Sequence, residues 1–274
     1  MQTILKFINK TGINKFIKKR FPRTFKFIRD IILAKSDIKF QEFRKNISDT
    51  INTIFKNDLT VRSGPFKGML YTNNAFGSTL FPKIIGTYEE PIQKWIYEAI
   101  NVNYDNVIDI GSAEGYYSVG FAKFSNNSKI YAYDIDDKAL TENKKLAKMN
   151  GVENKIIFKN LCDNKELAQI ITDRTLIICD IEGAEKTLLD PKKTPKLKLA
   201  DMIIEAHDCY AKNVTELLIQ RFYQTHKIEI AVDYLRDFRL ALPYSENIDL
   251  AKSLVSESRS SNALKWMRLT KLQQ

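Results

Sequence analysis

Between residues 106 and 208 the chain alternates short apolar runs with helical patterns, and no other feature restricts its fold as much. The runs are NVIDI, KIYAYDI, KIIFKN, TLIICDI and ADMIIEAHD, and helices are predicted to begin near Gly115, Asp137, Lys165, Glu185 and Val214. Apolar runs of strand length, each followed by a helix, read as parallel strands joined by right-handed crossovers. The predicted core is therefore a Rossmann-like, doubly wound α/β sheet, mostly parallel and covered on both faces. Two late runs, HKIEIAVDY and ALKWMRL, extend its edge.

Ahead of the core, LTVRSGPFKGMLY alternates about a Gly-Pro-Phe-Lys-Gly turn and is predicted to form a β-hairpin. EEPIQKWIYEAI then reads as a helix with Pro91 in its first turn and Ile92, Trp95, Ile96 and Ile100 on one face. The domain reading is a basic helical extension over residues 1–58 and a main domain over 59–274, with hairpin and lead-in helix at 59–104 and core at 105–274.

Charge separates the extension from the rest. Residues 1–35 hold ten Lys or Arg and a single acid, Asp30, which accounts for nine of the ten net positive charges. The remainder is nearly neutral, so a nucleic-acid groove spread over the main domain is not expected. Within the extension Ile4, Leu5 and Ile8, then Ile13, Phe16 and Ile17, then Phe21, Phe25, Ile28 and Ile32 recur at helical spacing, interrupted by Gly12 and Pro22. Such amphipathic helices either pack on the body of the protein or form a peripheral membrane or partner-docking arm. The three cysteines, Cys162, Cys179 and Cys209, are odd in number and far apart, which fits neither a disulfide framework nor a zinc site. No run is apolar over the roughly 18 residues that a membrane span needs, and no leader with a cleavage site is evident. The expected location is the cytoplasm, with the inner membrane face as the place where the arm would act.

The ligand is read from VIDIGSAEGYYS, which follows the first core strand. In a doubly wound sheet ligands lie beyond the carboxyl ends of the strands where strand order reverses. A dinucleotide favours G-x-G-x-x-G, whose middle glycine lets the backbone approach a pyrophosphate. Here that position is Ala113, and Asp109 and Glu114 place negative charge where phosphates would lie. S-adenosylmethionine carries a sulfonium, an ammonium and a carboxylate and no phosphate, so it suits this loop. Asp134, at the end of the second strand, stands where a carboxylate accepts the ribose hydroxyls. Asp163, after the third strand, is placed to meet the adenine amino group. The candidate cofactor set is Asp109, Gly111, Ser112, Glu114, Gly115, Tyr116, Asp134, Ile135, Asp163 and Asp180.

DIGSAEGYYS, YAYDID, CDIEGAEKTLLDP and IIEAHD, preceded by SGPFKGMLY and FPKIIGTYEEP, resemble in this order the FkbM-type methyltransferases over roughly residues 60–270. The resemblance implies S-adenosylmethionine, a seven-stranded sheet with a reversed last strand at its edge, and O-methylation of a secondary metabolite or of a sugar in a polysaccharide. The acceptor would then be a hydroxyl of a small molecule or glycan, with no nucleic-acid partner.

An alcohol is a poor nucleophile until its proton leaves, so such an enzyme needs a general base or a metal ion. His207 follows the apolar strand ADMIIEA over the predicted cofactor, and Glu205, two residues earlier on the same face, is expected to orient it. Asp180, at the end of the fourth strand, completes the candidate catalytic set. A rival, less favoured reading has Asp180 and Asp208 hold Mg²⁺; against it, Glu182 and Glu185 after Asp180 read as first-turn acids that complement a helix dipole. His226 opens a strand at the opposite end of the sheet and reads as structural. Two other functions stay open: an inactive methyltransferase-like binding module, and an N-methyltransferase of a small amine.

Overall fold

The structure is a computed structural model that describes residues 48–257 and 264–272. The helices predicted within residues 1–35 lie outside the described residues. The hairpin expected near residue 60 is short. A single antiparallel bridge joins Thr60 to Leu70, flanked by Val61 N–H to the Met69 carbonyl and Gly68 N–H to the Val61 carbonyl, both at 2.9 Å. It extends no further because Arg62 N–H turns to the Ile84 carbonyl at 2.7 Å, tying this segment to helix α1 (Leu80–Ile85).

Pro91 occupies a 3-10 turn, Glu90–Ile92, that leads into α2 (Gln93–Asn101). Its missing N–H falls where a helix start leaves donors unpaired in any case. Ile92, Trp95, Ile96 and Ala99 are buried from this segment, close to the face that the spacing predicts.

The core then runs β1 (Asn106–Ile110), α3 (Tyr116–Phe124), β2 (Lys129–Tyr133), α4 (Asp137–Met149), β3 (Ile156–Lys159), α5 (Asn164–Ile170) and β4 (Thr175–Cys179). It continues with α6 (Glu185–Leu188), β5 (Asp201–Ala206), α7 (Val214–Phe222), β6 (His226–Val232), α8 (Ile248–Val255) and β7 (Lys265–Lys271). Asp136 and Asp163 start α4 and α5 by accepting the N–H groups of Lys138 and Glu166, each at 2.8 Å.

The seven strands lie in the order β3-β2-β1-β4-β5-β7-β6. β1 is parallel to β2 and β4, β2 to β3, and β4 to β5. The last strand, β7, is the reversed one: it is antiparallel to β5 and to β6, between which it is inserted near that edge. Val107 and Ile108 of β1 and Ile177 and Ile178 of β4 are all 1% exposed or less, as expected for central strands covered on both faces. Strand order reverses between β1 and β4, which places a crevice at their carboxyl ends. No helix among the described residues is long and apolar enough to cross a membrane.

Candidate active site

A cavity of about 830 Å³ opens at the carboxyl ends of β1, β2, β4 and β5. Its floor is the loop after β1. Gly111 has φ +83°, and a Cβ there would come within 1.8 Å of the Asp180 carbonyl oxygen, so only glycine lets this loop cross the end of β4. Ala113 also takes a left-handed conformation, φ +46°. Its N–H donates to Asp134 Oδ2 at 2.8 Å, while Asp136 N–H donates to Oδ1 at 2.8 Å. Two backbone donors thus fix the Asp134 carboxylate at the cavity wall with lone pairs to spare.

Ile135 and Leu161, 81% and 67% exposed, present apolar side chains to the same cavity. Asp163 lines it too, although its Oδ1 is already committed to capping α5. Ser112 is buried on the wall and accepts from Asn143 Nδ2 at 3.2 Å. Two buried groups on the wall have polar atoms without a hydrogen-bond partner among the described residues: Asp109 Oδ2 and the Tyr116 hydroxyl. Burial pushes the Asp109 carboxyl up to about 8 against the hydrogen bonds from Ser118, with Asp134 and Asp180 adding to the rise.

Two expected members of the cofactor set serve the scaffold instead. Glu114 is fully buried, ion-paired with Lys83, and accepts from the Tyr71 hydroxyl at 2.6 Å and Phe76 N–H at 2.9 Å. It does not line the cavity, because a carboxylate at zero exposure is drawn to the counter-charge that the upstream segment supplies. Gly115 is the N-cap of α3 and packs against Asn143.

On the other side of the cavity stands His207, first residue after β5. Its Nδ1 lies 2.8 Å from Glu185 Oε1, while its Nε2 lies 3.4 Å from Asp180 Oδ1 and 3.7 Å from Glu205 Oε2. The orienting partner is therefore Glu185, not Glu205. Strand alternation puts Glu205 and His207 on one face as expected, but side by side at Nε2, so Glu205 cannot reach Nδ1. Glu185 arrives by a turn in which Glu182 (φ +51°) and Gly183 (φ +103°) are both left-handed. Burial would lower the His207 pKa, but the Glu185 hydrogen bond and the charges of Asp180, Glu185 and Glu182 outweigh it and raise it. The Tyr210 ring stacks on the imidazole, centroids 5.5 Å apart.

Asp208 is not part of this group. It accepts from Thr215 N–H at 3.0 Å and Thr215 Oγ1 at 2.6 Å, and pairs with Lys265 at 3.4 Å, so the pairing of Asp180 with Asp208 is not formed. The chain has already left the strand at this residue, which turns it toward the start of α7. Asp180, Glu205 and His207 instead bring one ligand atom each to within 4.8 Å of one another, a set able to hold a divalent cation. His226 bonds Thr225 Oγ1 and the Ala200 carbonyl, both at 2.9 Å, in a structural role at the far end of the sheet.

Sequence reasoning missed Glu185 as a partner and missed Lys83, a cavity-lining lysine concealed in the apolar run LFPKII. The E-G-A-E spacing after Asp180 was the available signal for the first; a lone lysine in an apolar helix was the signal for the second.

The TRM5/TYW2 methyltransferase domain family matches residues 93–232. A curated relative, the release factor glutamine methyltransferase of Flavobacterium psychrophilum, is 30% identical over 118 residues, 40% of this chain and 40% of that protein. The match thus spans two fifths of the relative's length. Among solved structures, a cofactor-bound protein from MTB superposes with a TM-score of 0.45 at 10% identity, covering 63% of this chain and 76% of that one. A SAM-dependent O-methyltransferase from Thermotoga maritima gives 0.42 at 14% identity, covering 66% and 65%.

Proposed function

The chain belongs to the TRM5/TYW2 methyltransferase domain family, and from that premise we propose that it transfers a methyl group from S-adenosylmethionine to a hydroxyl oxygen of a neutral small molecule or glycan, in the manner of FkbM-type enzymes. The cavity fits this cofactor. Asp134 offers acceptor capacity for ribose hydroxyls, Ile135 and Leu161 offer apolar faces for a base, and Asp109 Oδ2 and the Tyr116 hydroxyl, unpartnered among the described residues, offer polar groups on the wall. S-adenosylmethionine supplies the sulfonium-activated methyl group.

The observation that carries the reading is His207 on the wall of the cavity that Asp134 also lines. In this reading Nε2 would take up the hydroxyl proton of the bound acceptor, and Asp180 and Glu205 would favour the resulting imidazolium. Much of the acceleration comes from holding the acceptor in place. Charge supports a neutral acceptor: the wall carries the carboxylates of Asp134, Asp136, Asp163, Asp180, Glu182 and Glu205, against Lys83, which is already paired with Glu114. A phosphate group would be repelled there.

The test is His207→Ala assayed with methyl-labelled S-adenosylmethionine and a panel of hydroxylated acceptors. Cofactor affinity should hold while turnover falls roughly 10²- to 10⁴-fold. One observation favours a second reading, in which Asp180, Glu205 and His207 hold a divalent cation that acidifies the hydroxyl. Activity abolished by chelation and restored by Mg²⁺ would select it.

A further inference from the structure

We propose that Glu185 is the positioning residue of His207: its carboxylate holds the imidazole in the Nδ1–H tautomer, so that the Nε2 lone pair is presented to the cavity. The value of that lone pair to catalysis rests on the function proposed above; the tautomer itself does not.

The distances decide which nitrogen carries the proton. Glu185 Oε1 is 2.8 Å from Nδ1, within the usual hydrogen-bond range of about 2.7–3.2 Å. The carboxylates near Nε2 lie beyond it, at 3.4 Å for Asp180 and 3.7 Å for Glu205. A neutral ring has one proton to place, and the short contact to a charged acceptor takes it.

Glu185 is itself held rigidly. It is fully buried, and its Oε1 also accepts Ile181 N–H at 3.3 Å. The left-handed turn at Glu182 and Gly183 carries it back beneath the ring, and a Cβ on Gly183 would meet Ala211 Cβ at 3.2 Å, so this turn packs closely against the turn that follows His207. That second turn is braced as well, since Tyr210 and Ala211 N–H donate to the His207 carbonyl at 3.1 and 3.0 Å. Backbone, stacked Tyr210 ring and Nδ1 are all fixed, which leaves Nε2 as the nitrogen turned toward Asp180 and Glu205 on the cavity wall. A carboxylate behind a working histidine sets its tautomer whether that nitrogen takes a proton or binds a cation.

The chain has two histidines, so ¹⁵N-histidine NMR of the full protein reads the tautomer directly, with His207→Ala assigning the signals. At a pH where the ring is neutral, His207 should be in the Nδ1–H form. Glu185→Ala should release it toward the Nε2–H form, and turnover should fall roughly 10- to 100-fold with the KM for S-adenosylmethionine unchanged. Glu185→Gln keeps the shape and one acceptor oxygen, so it guards against a folding failure and should retain more of the Nδ1–H form than Glu185→Ala. An Nε2–H form in the wild type, or a tautomer indifferent to both substitutions, would overturn the proposal. If the tautomer shifts as expected while His207→Ala stays fully active, the positioning role stands and His207 as base is what fails.

Discussion

Asp134 takes two backbone donors, from Ala113 and Asp136, each at 2.8 Å. Its remaining lone pairs are what the cofactor's ribose would use, and a hydrogen bond to a charged acceptor is worth about 1.5–3 kcal/mol. Asp134→Ala should therefore weaken S-adenosylmethionine binding by roughly 10-fold or more in calorimetry, and an unchanged affinity would remove this residue from the cofactor site. The Lys83–Glu114 pair tests a different property. Both side chains are 2% exposed or less, and removing one partner of such a pair strands a buried charge at a cost of about 3–5 kcal/mol. Urea unfolding should find Lys83→Met strongly destabilised and the double variant Lys83→Met with Glu114→Gln considerably more stable than that single variant. A double variant no better than Lys83→Met would mean that lost packing, not the stranded carboxylate, sets the cost.

Strands and helices were legible where one physical signal dominated. NVIDI and TLIIC are buried throughout or nearly so, and their predominantly apolar character, broken in β1 by Asp109, announces central parallel strands. The glycine loop could be read because the loop after β1 passes the end of β4, where a Cβ at Gly111 would meet the Asp180 carbonyl oxygen. What escaped depended on turns. The strand pleat predicts that Glu205 and His207 share a face, yet which carboxylate reaches Nδ1 is decided by the left-handed residues Glu182 and Gly183, and left-handed Glu182 leaves no signature in composition. Asp208 was misread for a related reason: in the turn that follows β5 its carboxylate is taken up by Thr215 and Lys265 rather than facing Asp180.

Within β1, Asp109 makes a prediction about pH. Its carboxyl is raised to about 8 in the folded chain, against about 3.9 unfolded. The folded state then binds the extra proton, so the stability that this group contributes is complete below about pH 4 and is lost as pH rises through about 8, by at most about 1.4 kcal/mol per unit. Without added cofactor, denaturant unfolding of the wild type should lose stability relative to Asp109→Asn across that window. A difference that stays constant with pH would mean Asp109 is ionised throughout.

At the scale of the whole molecule, the reversal of strand order between β1 and β4 brings residues far apart in sequence around a single cavity of about 830 Å³. Asp134 after β2, Asp180 after β4 and His207 after β5 meet there because each follows the carboxyl end of its strand. The acidic wall distinguishes between ligands: it suits a cofactor that carries a sulfonium and an ammonium and opposes one whose centre is a pyrophosphate. Thermal unfolding with added ligand measures this directly. At about 100 times its dissociation constant, S-adenosylmethionine should stabilise the fold by about 2.7 kcal/mol, raising Tm by roughly 5–10 °C for a domain of this size, while NAD(H) at the same concentration leaves it unmoved. No shift with S-adenosylmethionine at millimolar concentration, or an equal shift with NAD(H), would contradict the assignment of this cavity to a methyl donor.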